Sequence, residues 1–154
     1  MEKEKITELF DRYGNDVFRL ALSYLRCRQD AEDVCQSVFL KLSEGGVELF
    51  PGKEKAWLLT CAANASRNML RKRKTARLFD GSISFTLPED QGLWDALAQL
   101  PPKYRAALHL YYYEGYDQTE IAGILGISRT AVQTRMSRAR ALLKKELSKY
   151  DREL

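Results

Sequence analysis

Apolar positions recur along this chain at helical spacing. In the first stretch Leu9, Tyr13, Val17, Leu20 and Tyr24 fall three or four residues apart, and Phe18, Leu22 and Leu25 widen the stripe enough to face two neighbours. That spacing predicts one long helix. A second stripe, Ala31, Val34, Cys35, Val38, Phe39 and Leu42, stops at Gly45-Gly46, where glycine frees the chain to turn, and Pro51-Gly52 extends the break. A third, Leu58, Cys61, Ala62, Ala65 and Met69, continues through Leu70 into a run of basic residues and predicts a helix of several turns. Trp57 sits at core spacing beside it. Three such helices can close one small bundle.

Between Thr75 and Gln91 the period fades, and Gly81, Ser82, Ser84 and Pro88 stand among mixed residues, the composition of a linker. Leu93 to Leu100 reads as a short helix. Pro101-Pro102 suit the start of the next, since proline at the first helical position gives up no needed hydrogen bond. Tyr104, Ala107, Leu108 and Tyr111 line one face of that helix, which should end near Gly115 with at least one ring of Tyr111-Tyr112-Tyr113 in the core. Asp117 followed by Glu120 has the form of a capping box, opening a helix that buries Ile121, Ala122 and Leu125 and ends at Gly126. Ser128 can cap the last helix, whose buried stripe is Val132, Met136, Ala139 and Leu143. Strand-like alternation and internal repeats are both missing. The fold expected is all-α: two small helical bundles, residues 1–74 and 93–154, joined by a flexible linker over 75–92, the second bundle containing a helix-turn-helix.

Composition supports packed cores, with 45% hydrophobic residues in a chain of 154. A formal charge of +4 is mild, so its placement carries the information. Arg67, Arg71, Lys72, Arg73, Lys74 and Arg77 follow one another without an acid. Arg129, Arg135, Arg138, Arg140, Lys144, Lys145 and Lys149 are opposed only by Glu146. Two separate basic surfaces are implied. Asp30, Glu32 and Asp33 gather instead at the start of the second helix, a patch of opposite sign suited to a protein partner. Cys27, Cys35 and Cys61 are odd in number and lack the spacing of a redox or metal motif, and the opening MEKEKITELF has no apolar signal core. A reduced, cytoplasmic protein without membrane insertion is expected. A zinc site from the three cysteines and His109 is less well supported than core packing of Cys35, Cys61 and His109. The sequence offers no glycine-rich phosphate loop and no Ser-His-Asp or His-Cys arrangement, so neither an enzyme nor a cofactor is expected.

The segment DQTEIAGILGISRTAVQTRMSRARALLKK carries the strongest functional signal: a short helix, a glycine-containing turn and a longer second helix. Opposite Val132 and Met136 the second helix presents Thr130, Gln133, Thr134, Ser137 and Arg138, with Arg129, Arg135 and Arg140 flanking. Gln and Arg can bond base edges in bidentate fashion, and flanking cations neutralise phosphates. A solvated bundle face would ordinarily mix acids with bases, which this one does not. On the third helix Asn64, Arg67, Asn68, Arg71 and Lys72 share a face. Amides beside cations suit unpaired bases and their phosphates. A generic solvated run, with an asparagine bonding a loop, fits that helix equally well when it is considered alone.

At these residues the sequence resembles the sigma-70 family, in its compact extracytoplasmic-function group, which keeps only the second and fourth sigma domains. DAEDVCQSVFLKL over 30–42 is similar to the family's polymerase-binding helix, KAWLLTCAANASRNMLRKRK over 55–74 to its promoter-melting and minus-ten segment, and the stretch from Leu100 to Leu143 to its minus-thirty-five domain. The resemblance implies a factor that binds core RNA polymerase and two promoter elements, with an anti-sigma factor as a further partner. Asp30, Glu32, Asp33 and Gln36 would dock on the polymerase, and Asn64 and Asn68 would hold a flipped base of the melted non-template strand. Gln133, Thr134, Ser137 and Arg138 would meet the double-stranded upstream element, with Ser128, Arg129 and Thr130 placing the helix end on phosphates. The tyrosine run is a candidate contact for the polymerase's flap. Family members often carry a second Arg or Lys where Gln133 stands and a bulkier residue where Ser137 stands, which implies a different upstream preference resting partly on DNA shape. The alternative is a helix-turn-helix regulator working without core polymerase, its first domain serving for dimerisation or ligand sensing.

Overall fold

The computed structural model describes residues 1–76 and 91–153, and among these the regular structure is helical. They divide into two compact units, the division falling between residues 81 and 82. Much of the expected linker lies outside the described residues. Helix nevertheless reaches Ala76 on one side and begins again at Gln91 on the other.

The first unit holds α1 (Lys3–Leu25), α2 (Arg28–Ser43) and α3 (Glu54–Ala76), each packed on the other two. Leu9, Val17, Leu20, Ala21, Tyr24 and Leu25 of α1 face Ala31, Val34, Cys35, Val38, Phe39 and Leu42 of α2 in one core. Only Arg26 and Cys27 separate α1 from α2. Arg26 makes that turn in the left-handed region (φ 50°), its N–H donating to the Leu22 carbonyl at 2.9 Å. A non-glycine residue there carries a steric cost of order 1–2 kcal/mol, which the surrounding packing must hold in place. After α2, Gly45 and Gly46 both take positive φ, as a sharp exit from a helix demands.

On α3 the buried stripe is displaced from the one expected. Leu58, Leu59, Ala62, Ala63 and Ser66 are fully buried, while Cys61, Ala65 and Met69 are only half-buried. Beyond Leu58 and Leu59 the line of contact is made of small side chains, which let the backbone of α3 come close to its neighbours. Trp57, expected in the core, is half-buried.

The second unit is organised around α7 (Arg129–Glu153), which packs against α4 (Gln91–Ala98), α5 (Pro102–Leu108) and α6 (Gln118–Leu125). Pro102 opens α5 with Pro101 as its cap residue. The helix then widens into a π-turn over His109–Tyr113, closed by the Glu114 N–H donating to the His109 carbonyl at 3.0 Å. That wide turn corrects two expectations. Leu110 takes the buried place, whereas Tyr111 is half-buried and Tyr112 and Tyr113 are exposed, so none of the three rings enters the core. His109 is half-buried, stacked on Tyr113 with its Nε2 3.5 Å from the Glu114 carboxylate. The capping box forms as expected: the Asp117 carboxylate accepts from the Glu120 N–H at 2.8 Å and the Glu120 carboxylate from the Asp117 N–H at 3.0 Å. In α6 Ile121, Ile124 and Leu125 are buried and Ala122 is half-buried. Val132, Met136 and Ala139 form the buried stripe of α7, and Leu143 is half-buried.

Ser66 is 0% exposed, and its hydroxyl has no hydrogen-bond partner among the described residues. An unsatisfied buried hydroxyl costs on the order of 1–3 kcal/mol. Ser66→Ala is therefore expected to keep or raise the unfolding free energy of the first unit, by up to about 1 kcal/mol, read from denaturant titration; a marked loss of stability would reveal a bond to that oxygen.

Candidate nucleic-acid interface

The geometry of the helix-turn-helix begins with its turn. Gly126 closes α6 in the left-handed region (φ 68°), its N–H donating to the Ala122 carbonyl. The Ile127 N–H donates to the same carbonyl at 3.1 Å. Any side chain at Gly126 would be strained in that conformation, so glycine sets the sharpness of the turn. Ser128 then caps α7, its hydroxyl accepting from the Ala131 N–H at 3.0 Å. Burial of Val132, Met136 and Ala139 fixes the rotation of the helix about its axis. Thr130, Gln133, Thr134, Ser137 and Arg138 consequently emerge on the far side, all exposed, with Ser128 and Arg129 exposed at the N-terminal end.

The flanking cations do not share one role. Arg140 donates through Nε to the Tyr112 hydroxyl at 2.9 Å, and its guanidinium lies 5.3 Å and 5.8 Å from the ring centres of Tyr111 and Tyr112. It ties α7 to the π-turn. Arg135 is half-buried. The contact between Arg140 and Tyr112 spans 28 positions. Nothing local in the sequence announces it.

On α3 the buried line through Ala62, Ala63 and Ser66 plays the same orienting part. Asn64, Asn68, Arg71 and Lys72 are exposed and Arg67 is half-buried. The two amides are arranged in register with cations one turn on. Arg67 Nη2 donates to the Asn64 side-chain carbonyl at 2.5 Å, and Arg71 Nη2 donates to that of Asn68. Each asparagine thus has its oxygen engaged and keeps its amide N–H2 group to donate elsewhere. Together the four side chains present donors and positive charge, chemistry fit for phosphates and for bases that display acceptors. Arg73, in the same basic run, does not join this surface. It donates to the Leu25 carbonyl at 2.9 Å and to the Asp30 carboxylate.

The acidic patch on α2 is accordingly smaller than its sequence suggests. Asp30 is half-buried against Arg73, whereas Glu32, Asp33 and Gln36 are exposed. Glu32 pairs with Arg28 at 3.3 Å in a contact open to solvent, a kind of pair that contributes little and stays exchangeable.

Residues 9–76 match the family profile "Sigma-70 region 2" and residues 90–143 match "Sigma-70, region 4". The chain is 33% identical to the RNA polymerase sigma factor SigV of Bacillus subtilis over 90% of its own length and 89% of that protein's. Among solved structures it is similar to the sigma factor RpoE of Bartonella quintana, crystallised with the anti-sigma factor NepR, at 25% identity and a TM-score of 0.78 across 96% of this chain and 98% of that one. It is also similar to CnrH in complex with the cytosolic domain of CnrY, at 28% identity and a TM-score of 0.71, covering 96% of this chain and 90% of that one.

Metal chemistry finds no converging ligands: no group of three or more His, Cys, Asp or Glu side chains comes together among the described residues. Cys27, Cys35 and Cys61 are free thiols. Burial pushes the Cys35 thiol above its ordinary pKa, and Glu32 pushes it further. Burial also raises Cys61, partly offset by Lys41. A raised thiol pKa leaves the folded state holding its proton longer, so whatever stability it contributes is present below the ordinary thiol value and is lost as pH climbs past it. Iodoacetamide near neutral pH is expected to modify Cys35 at least about tenfold more slowly in the folded than in the urea-unfolded chain, the gap narrowing above the usual thiol range; equal rates would contradict its burial.

Proposed function

This chain belongs to the sigma-70 family, in its extracytoplasmic-function group, and from that premise we propose how its surfaces divide the work of directing RNA polymerase to promoters and starting transcription. The observation that carries the reading is the pair of exposed cationic faces, one on α3 and one on α7, each oriented by a buried stripe on the opposite side of its helix. They lie in the regions matched to sigma regions 2 and 4.

The α7 face of Gln133, Thr134, Ser137 and Arg138 reads the double-stranded upstream element in its major groove, with Ser128, Arg129 and Thr130 placed against the phosphates at the N-terminal end of that helix. A polar side chain at Gln133 and a small one at Ser137 leave fewer charged contacts to bases, so groove shape contributes to the choice of site. The α3 face of Asn64, Arg67, Asn68, Arg71 and Lys72 takes the melted minus-ten strand. It binds an unpaired base and its phosphates and has no equivalent contact for the closed duplex, and that difference in affinity is what favours opening. Glu32, Asp33 and Gln36 dock α2 on a basic surface of core polymerase. Two elements held by one chain reinforce each other through effective concentration.

The protein's chemistry is differential binding with no turnover, and its place is the cytoplasm, where polymerase acts. No described helix is long and apolar enough to cross a membrane. The two solved relatives named above are each held by a partner, NepR described as an anti-sigma factor and the other the cytosolic domain of CnrY, and a protein of that kind is a fitting regulator here. A helix-turn-helix regulator working alone would leave the match of residues 9–76 unexplained.

Run-off transcription with core polymerase across a genomic library is expected to give discrete promoter-specific products that require this chain. Duplex binding without any comigration with core polymerase would refute the assignment. Arg138→Ala is expected to weaken upstream recognition by about 1–3 kcal/mol and to relax specificity at one position, measured by binding to a panel of single-base variants; an equal loss on every sequence would make it a phosphate contact. Replacing Asn64 and Asn68 together with Ala is expected to spare polymerase binding and impair strand opening, read by permanganate reactivity of unpaired thymines.

A further inference from the structure

The basic run Arg71-Lys72-Arg73 is divided in space. Arg71 and Lys72 are exposed, while Arg73 turns back into the first unit with its side chain 19% exposed. There its two nitrogens reach two different elements. Nη1 donates to the carbonyl of Leu25, the last residue of α1, and Nη2 pairs with the carboxylate of Asp30 in the first turn of α2. The last turn of α1 contains no cation of its own. Arg73 therefore supplies positive charge to the negative end of α1 from 48 positions away, and Asp30 lies at the positive end of α2. Between those two ends sits the two-residue turn through Arg26, held in its costly left-handed conformation. One guanidinium thus pins the α1–α2 turn to the C-terminal part of α3.

We propose that Arg73 and Asp30 form a brace that positions the strand-binding face of α3 against the polymerase-docking face of α2, and that neither residue contacts DNA or polymerase itself. The proposal rests on the roles assigned above to those two faces. Asn68, Arg71 and Lys72 occupy the turns of α3 just before Arg73, and Glu32, Asp33 and Gln36 follow Asp30 along α2. Fixing one end to the other converts docking on polymerase into a defined location for the residues that catch the open strand. Without the brace the last turns of α3 lose their long-range anchor, and strand capture is misplaced although docking is intact. Prior ordering of this kind raises the competent fraction of a binding surface without adding a contact.

The test uses the full chain with core polymerase on its cognate promoter, at a temperature where circular dichroism shows every variant folded. Arg73→Met and Asp30→Asn are each expected to reduce open-complex formation about tenfold at saturating polymerase while leaving polymerase affinity within about twofold. The double variant should be no worse than either single one, because each removes the same link. Arg73→Lys, which keeps the charge, should recover part of the opening. The dependence of promoter binding on salt should be unchanged by Arg73→Met, whereas a phosphate-contacting arginine would lower that slope by about 1. Additive losses together with a lowered slope would make Arg73 a DNA contact and overturn the brace. Weakened polymerase affinity in Asp30→Asn, with normal opening at saturation, would make Asp30 a docking residue and overturn it equally. If Arg73→Met does not fold, Asp30→Asn and Arg73→Lys decide between the same outcomes. Should the Asn64/Asn68 alanine variant open promoters normally while the brace variants do not, the strand-reading assignment fails and the linkage between α2 and α3 stands on its own.

Discussion

The rotation of α3 and α7 about their own axes is the constraint on which both cationic faces of this protein depend. A helix advances by about 100° per residue, so a change of one position in which residues are buried would carry each exposed face around to a neighbouring side. In α7 that rotation is fixed by Val132, Met136 and Ala139, none of them charged and all fully buried. In α3 it is fixed by Leu58, Leu59, Ala62, Ala63 and Ser66. Specific recognition by polar side chains is only as well defined as the apolar contact behind it.

Much of this was legible in the sequence, and what was not has a common cause. The buried sides of α1, α2 and α7 follow the three-and-four spacing of their apolar residues, although Tyr13, Phe18 and Leu22 of α1 and Leu143 of α7 are only half-buried. The glycines at 45, 46 and 126 and the Asp117–Glu120 box work through neighbours within a few residues, and these too can be read directly. On α3, by contrast, Cys61 and Met69 suggest an inward side by their apolar character, yet Ala63 and Ser66 occupy it because smallness lets helices meet. Hydrophobicity is a guide to burial only where volume is not the limiting factor. The roles of Arg73, Arg140 and Asp30 are set by partners 28 to 48 positions away, beyond the reach of any local pattern. The asparagine and arginine pairs on α3 lie between these cases, since their spacing is visible but the hydrogen bonds that engage the amide oxygens become apparent only in three dimensions.

Counting cations therefore overstates the nucleic-acid surface. Of the arginines and lysines in the two basic segments, Arg73 and Arg140 are committed to packing and charge pairing inside their own units, and Lys149 pairs with Glu146 at 3.2 Å. What is left outward is narrower and more ordered than the sequence alone implies. A similar reduction applies on α2, where the acidic group retains Glu32 and Asp33 after Asp30 turns inward. The net charge of +4 consequently says less about binding than the handful of side chains whose orientation is fixed.

The π-turn at His109–Tyr113 gives the second unit a particular vulnerability. A π-turn holds one residue more than the α-helical turn it replaces, and here it forms the closing turn of the helix that α5 begins, ending at Glu114. Loss of one residue from that stretch would restore ordinary helical winding and swing Tyr112 away from Arg140. One surplus amino acid in the last turn of this helix thus sets where the Tyr111 and Tyr112 rings stand relative to Arg140, while Tyr104, Ala107 and Leu108 hold α5 in the core independently of that contact.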